Sequence, residues 1–299
     1  MAEAVREIAA GRPVAIPTET VYGLAADATD GAAVAAIYAA KGRPSFNPLI
    51  VHVADLAGAE AIADLGAAAH ALARAFWPGP LTLVAPLKPG APIATLATAG
   101  LPTVALRVPA HPAMRALLAA SGRPLAAPSA NASGTISPTR ADHVLRSLGG
   151  RIPLVIDAGP CPLGLESTIV AVGDDRLRLL RPGPIDAGAL TRATGLPVAA
   201  GGGGAIEAPG QLSQHYAPSK PLRLAATEAW PGEWLIGFGG VAGDASLSPT
   251  GDLAEAAARL FDLLHQADAS DRPALAVAPI PAEGLGVAIN DRLARAAAR

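Results

Sequence analysis

Cysteine occurs once in this chain of 299 residues, at Cys161, between Pro160 and Pro162. A single cysteine excludes an internal disulfide and any zinc site built on a cysteine cluster, and its proline-bounded setting reads as structural rather than nucleophilic. Aromatic residues are also sparse. Three Trp, three Tyr and four Phe leave few stacking platforms of the kind that a single-strand nucleic-acid binder needs. With a net charge of −2 the chain has no global basic footprint either. The longest uncharged run, Pro89 to Leu106, holds three prolines, two glycines and three threonines, which is not the composition of a membrane span. The first residues, MAEAVREIAAGRP, carry Glu3, Arg6 and Glu7 around no apolar core and do not read as a signal peptide. The expectation is a soluble, cytoplasmic protein without membrane contact. Walker A and GxGxxG motifs are missing, as is any metal-ligand spacing of His and Asp, so no protein-held metal is expected.

What is present is an alternation of apolar strands and Ala-rich helices, the pattern of an α/β architecture. The spacing predicts helices near 2–10, 31–40, 55–64, 67–76, 110–120 and 139–148. It predicts strands near 13–17, 49–53, 81–87, 103–108, 124–127, 153–157, 167–172 and 176–181. From Leu196 to Pro209 the composition changes to LPVAAGGGGAIEAP, which reads as a mobile connector. A second alternation follows, with strands near 222–225, 234–238 and 274–278 and helices over 252–265 and 285–298. These features predict a large α/β domain over 1–195, a Gly/Pro-rich linker over 196–220, and a small α/β domain over 221–299. No internal repeat is present.

The chemistry concentrates in polar clusters at the ends of apolar runs. PTETVYGLAADA, from Pro17 to Ala28, puts Thr18, Glu19 and Thr20 at the mouth of the strand that ends at Ile16. Ligands of α/β proteins are held at such mouths. KGRPSFNPLIVH, from Lys41 to His52, brings Lys41 and Arg43 out of a helix into a Gly/Pro loop, with no carboxylate between Gly31 and Ala54. That is a local positive field suited to phosphate, although two solvated side chains would account for this pair alone. In TVALRVPAH, the period of two puts Thr103, Ala105 and Arg107 on one strand face and Val104, Leu106 and Val108 on the other, the core face. A buried Arg107 needs an anion; the alternative is a strand-end arginine reaching solvent. PSANASGTISPT, from Pro128 to Thr139, offers Ser129, Asn131, Ser133 and Ser137, while ESTIV and LLRPGPI place Ser167 and Arg181 at strand ends.

The ordered set PTETVYGL, KGRPSFNPL with His52, FWPGPLTL, LRVPAH, PSANASG with SPT, ESTIV and LRPG resembles the YrdC-like threonylcarbamoyl-AMP synthases, over about residues 13 to 185. HYAP, from His215 to Pro218, followed by a second α/β unit resembles the long form of that family. The resemblance implies a twisted, open α/β sheet around a deep positive cavity and a small Rossmann-like C-terminal domain. It also implies synthesis of L-threonylcarbamoyladenylate and pyrophosphate from L-threonine, bicarbonate and ATP, for N6-modification of adenosine 37 in tRNA. By the same resemblance, threonine is held by Thr20, His52, Arg107, Ser167 and the backbone of Ala127. ATP is held by Arg43, Asn47, Thr103, Ser129, Ser137, Arg181 and Tyr216, and the chemical step draws on Lys41, Arg43, Ser129 and Asn131. Mg²⁺ arrives with ATP, and the product passes to a tRNA threonylcarbamoyltransferase complex; a weak RNA contact is compatible with this scheme. Two rival readings are an RNA-binding YrdC-like module and a paralogue without synthase activity. The carbamoyltransferases of hydrogenase maturation share the domain but carry Cys-rich zinc segments that one cysteine disfavours. Where long-form members have a serine before the linker's Pro-Gly and a basic residue near HYAP, this chain reads APGQLSQHYAP. HYAP sets an imidazole beside a phenol in a segment that otherwise reads as a spacer, so Tyr216 reads as part of a lid over the cavity; the alternative is simple packing against either domain.

Overall fold

The computed structural model describes residues 1–44, 46–201, 207–208 and 215–298. Ten strands among them form one mixed sheet: β1 (Val14–Pro17), β2 (Tyr22–Asp27), β3 (Ile50–His52), β4 (Leu81–Pro86), β5 (Thr103–Arg107), β6 (Leu125–Ala126), β7 (Leu154–Val155), β8 (Thr168–Val172), β9 (Leu177–Arg181) and β10 (Val198–Ala200). Their order is β10-β9-β8-β4-β5-β3-β6-β2-β1-β7. Nearly every expected element is found within a few residues of its expected limits. One exception is β2, whose segment YGLAAD offers no β-branched residue and reads from sequence as loop. It forms because the turn after Pro17 folds it back antiparallel on β1, Pro17 opposite Tyr22. The short helices Thr95–Thr98 and Ala187–Thr194 were also unexpected.

The two faces of the sheet bury different things. Val51, Leu83, Val104, Leu106 and Val170 point to the face covered by helices and join the main core. Each such side chain stabilises the fold by about 1.5–3 kcal/mol. Their alternates Ile50, Val84, Ala105, Ile169 and Ala171 form a thinner apolar layer on the opposite face. His52 and Arg107 lie opposite each other in the parallel β3–β5 pair and continue that second face into a polar cavity. The helix Gly31–Lys41 delivers the basic loop: Asp30 caps its start by accepting from the Ala32 amide, and Gly42 ends it at φ 60°, where a side chain would be strained.

The second unit is a four-stranded sheet of β11 (Leu222–Arg223), β12 (Glu233–Gly237), β13 (Ala245–Ser246) and β14 (Ala274–Val277), in the order β11-β14-β12-β13. Every pairing in it is parallel. Such pairing requires crossovers, and the helix Leu253–Ala269 supplies one, between β13 and β14. Phe261, Leu264, Ile289 and Leu293 build its core, and Val21, Ile136 and Leu165 of the first unit belong to the same apolar cluster. The units also meet backbone to backbone. Gly164, at φ +69°, lies so close to the helix Leu253–Ala269 that a Cβ there would stand 2.4 Å from the Ala257 carbonyl oxygen.

The expected connector begins later than its composition suggested. Val198–Ala200 pair in parallel with β9 and extend the large sheet, because three non-glycine residues precede the glycine run. Apart from Gly201, the glycine connector at 201–204 lies outside the described residues, as do Pro209, Gly210 and the segment to Gln214 on which the linker departures fall. Among the described residues no helix is long and apolar enough to cross a membrane.

Candidate functional site

The strand-end clusters converge on a cavity lined in part by Thr20, Arg43, His52, Arg107, Ala127, Ser129, Arg181 and Tyr216. One part of its wall is built on Arg107, which is 3% exposed. Its Nη2 donates to Glu19 Oε1 at 2.5 Å, its Nη1 to Thr20 Oγ1 at 3.0 Å and its Nε to the Gly79 carbonyl at 3.2 Å. The anion that a buried arginine requires is therefore Glu19, a residue that the sequence reading placed at the strand mouth without a role. The fork has five N–H donors, so two remain, one on each terminal nitrogen, for a carboxylate. Thr18 donates its hydroxyl proton to the Val21 carbonyl, so the 2.8 Å contact between the two threonines is Thr20 donating to Thr18. That orients the Thr20 hydroxyl as an acceptor toward Arg107.

Glu19 is held below the usual carboxylate range: burial raises it, but Arg107 and the Ala110 amide outweigh burial. His52, buried and beside Arg107, is pushed down to about 3, chiefly by burial and then by the arginine's charge. It is a neutral imidazole at any physiological pH, and its Nδ1 has no partner among the described residues.

The other part of the wall is cationic. Arg181 donates from Nε to the Ser167 carbonyl at 3.0 Å and from Nη2 to Ser167 Oγ at 3.1 Å. Arg43 donates to the carbonyls of Asn47 and Pro48. Burial lowers Arg181 and brings Arg43 down to about 10, each feeling the neighbouring arginines as well. Cations crowded and desolvated in this way favour an anion strongly. Tyr216 is fully buried at φ +66°, its hydroxyl without a partner among the described residues, and its ring is 5.6 Å from that of Phe261 in the second unit. It thus packs against the second domain and lines the cavity at once. Asn47 Oδ1 and His215 Nδ1 are likewise buried without a partner. Orphaned polar atoms are rare in native proteins and gather where ligands bind.

Five of the residues singled out from sequence stand behind the lining. Ser167 is held by Arg181, Asn47 lends its carbonyl to Arg43, and Ser137 Oγ donates to Glu166 Oε1 at 2.5 Å. Lys41 corrects an expectation. Its Nζ donates to the carbonyls of Ser129 at 2.6 Å and Asn131 at 2.5 Å and to Asn131 Oδ1 at 3.4 Å, so it pins the PSANAS loop and has no donor left for phosphate. Burial, and then Arg43, hold its amine well below the usual lysine range. Thr103 shares the strand face of Arg107 but does not line this cavity. Four residues at about 3.3 Å each separate the two by about 13 Å. Glu166, which sequence reasoning passed over, and His215, noted there only as part of HYAP, do line it. The only signal for Glu166 was its place directly before Ser167. Cys161 is buried and its thiol is pushed up to about 12, in keeping with a structural role. No group of three or more His, Cys, Asp or Glu converges as a metal site among the described residues.

Known proteins resemble this chain along nearly its whole length. Residues 6–183 match the Sua5–YciO–YrdC family model, described as "Telomere recombination", and residues 185–298 match one described as "Threonylcarbamoyl-AMP synthase, C-terminal domain". A threonylcarbamoyl-AMP synthase of Bacillus subtilis is 40% identical, covering 99% of this chain and 92% of its own length. One from Pyrococcus abyssi is 39% identical over 96% of this chain and 90% of its own length. The crystal structure of Pyrococcus abyssi Sua5 complexed with L-threonine superposes with a TM-score of 0.90 at 35% identity, over 99% of this chain and 93% of that one. With both family models matched in order and relatives aligned almost end to end, the chain belongs to the Sua5–YciO–YrdC family, in its two-domain form.

Proposed function

We propose that this protein is a threonylcarbamoyl-AMP synthase, joining L-threonine, bicarbonate or CO₂, and ATP into L-threonylcarbamoyladenylate with release of pyrophosphate. The observation that carries the reading is a single cavity in which a carboxylate-type subsite, Thr20, His52 and Arg107, adjoins a phosphate-type subsite, Arg43, Ser129 and Arg181. The near full-length likeness to synthases from two organisms supports it.

In this reading the two free donors of Arg107 take the threonine carboxylate, and Ser167 and the Ala127 backbone complete that subsite. The threonine nitrogen bonds to the carbon of CO₂, giving up a proton and forming a carbamate. A carbamate oxygen then attacks the α-phosphorus of ATP, the bond to the bridging oxygen breaks, and pyrophosphate leaves with the electron pair. No side chain becomes covalently attached. Arg43 and Arg181 stabilise charge on the phosphates, and Ser129 and Tyr216 orient the nucleotide, so catalysis is alignment plus electrostatics. Lys41 and Asn131 act by fixing the Ser129 loop. Asn47 and Ser137 support this subsite from behind, and Thr103 would be reached only by a nucleotide extending along β5. Mg²⁺ enters as part of the substrate, coordinated by phosphate oxygens and water. The product is handed to a tRNA threonylcarbamoyltransferase for modification of adenosine 37, in the cytoplasm.

The test is incubation of the purified chain with ATP, labelled bicarbonate and threonine, with mass spectrometry of the nucleotide products. Pyrophosphate and the adenylate should form only when threonine and bicarbonate are both supplied. Some leakage with serine is expected, since a methyl contact is worth only about 1–3 kcal/mol. Equal pyrophosphate release without bicarbonate, or RNA binding with no adenylate, would refute the assignment.

A further inference from the structure

We propose that Arg292, on the helix Leu285–Ala297 of the second domain, is a positioning residue for the phosphate-type subsite, acting through Glu166; the proposal rests on the synthase reading. Arg292 is among the largest fully buried side chains of the protein. Its Nε donates to Glu166 Oε2 at 2.8 Å, its Nη2 to the Pro182 carbonyl at 2.9 Å and its Nη1 to Asp291 Oδ2 at 2.6 Å, and its guanidinium carbon lies 5.3 Å from the centre of the Tyr216 ring. The second domain thus reaches the residue before Ser167, the residue after Arg181, and Tyr216, all with one side chain.

Glu166 needs such a partner because of where it stands. It lines the cavity and accepts from Ser137 Oγ, and Arg181 is the other cation close enough to lower it. Without Arg292 the buried carboxylate would be left facing Arg181. An ion pair between those two would draw the Arg181 fork off Ser167 and set a negative charge beside the triphosphate. With Arg292 in place, Glu166 is neutralised from behind and Arg181 keeps its free donors for phosphate. Around Glu166 the groups that carry or exchange protons are Ser137 from its loop, Arg181 from β9, Arg292 and Asp291 from the last helix, and His215 and Tyr216. His215 is held neutral by burial, down to about 3, so it adds no positive charge to this set at neutral pH.

The test is calorimetric binding of Mg·ATP and of L-threonine, separately, to the full chain carrying Arg292→Met, and to the same chain also carrying Glu166→Gln. Arg292→Met should weaken ATP binding by about 10–100-fold, the effect of losing one charge-assisted hydrogen bond from Arg181 to phosphate. Threonine affinity should fall clearly less than ATP affinity, since Thr20, His52 and Arg107 do not touch Arg292 and only Ser167 links that subsite to Arg181. Glu166→Gln in the same chain should restore most of the ATP affinity at pH 7.5. Unchanged ATP binding, an equal loss for both ligands, or no rescue by Glu166→Gln would each overturn the proposal. Should Arg292→Met not fold, the double variant and Arg292→Lys decide: both should keep ATP and threonine affinity near those of the unaltered chain, and a large loss of ATP affinity in both would overturn the proposal. Binding of Mg·ATP by the unaltered chain is read first, so failure of the synthase reading is seen separately from failure of the Arg292 proposal.

Discussion

Replacing Arg107 by methionine separates the two jobs that the site gives it. The side chain is nearly fully buried and its guanidinium meets Glu19 at 2.5 Å, with Glu19 itself only 7% exposed. Removing one partner of a buried pair costs about 3–5 kcal/mol, because the remaining charge stays desolvated. Glu19 would keep only the amides of Ala110 and His111, at 3.0 and 3.3 Å. The loss should appear in urea unfolding as a lower midpoint with an unchanged slope. The charge-assisted pair to the amino-acid carboxylate is a second loss, of about 2–4 kcal/mol, which weakens threonine binding by roughly 30-fold to 1,000-fold. Calorimetry with threonine and with ATP reads that loss directly, and ATP should be little affected. Adding Glu19→Gln removes the stranded charge and should return a large part of the stability but none of the threonine affinity. The pH dependence has a definite sign. In the native chain the carboxyl of Glu19 lies below its free value, so its contribution is present at neutral pH and is lost as the pH falls through the lowered value. Without Arg107, burial dominates and the sign reverses. Threonine binding within threefold of the native chain in Arg107→Met, or its return in the double variant, would refute the reasoning.

Two further predictions follow from burial. His52, His215 and His265 are each held down to about 3, chiefly by burial, against an ordinary value of 6.5, so the unfolded chain binds more protons than the folded one between those limits. Stability should therefore fall as the pH drops, by about 1.4 kcal/mol per histidine and roughly 4 kcal/mol in all between pH 7.5 and 5.5; a flat unfolding midpoint over that range would contradict the assignment. Gly164→Ala should destabilise the chain by about 2–5 kcal/mol, from left-handed backbone strain and collision with the neighbouring helix. Chemical denaturation showing a change below about 0.5 kcal/mol would mean that the domains do not touch at the Ala257 carbonyl.

Most of the architecture was legible because periodicity records which side of an element is buried. The alternation of Val104, Leu106 and Val108 against Thr103, Ala105 and Arg107 appears in the structure as a core face and a cavity face. β2 escaped notice because its strand character comes from pairing with β1, a long-range cause absent from its own residues. The candidate site was legible as a set of residues but less so as roles. Spacing brings Lys41 near the loop at Ser129 but cannot say whether its amine points to the cavity or to carbonyls behind it. Glu19 and Glu166 became visible only once partners distant in sequence, Arg107 and Arg292, were seen to reach them. A charge's role depends on its counter-charge, and 126 residues separate Glu166 from Arg292.

The buried thiol makes the protein convenient to measure. Cys161 is 3% exposed and its thiol stays protonated at neutral pH, so maleimide reagents should leave the native chain untouched. A cysteine introduced on each domain would then be the sole point of attachment for a dye or spin label. Leu145 and Val287, at 57% and 45% exposure, offer one such position in the first domain and one in the second. A distance read between Leu145→Cys and Val287→Cys would report, in a chain whose own cysteine needs no removal, whether the two domains hold one arrangement through a catalytic cycle.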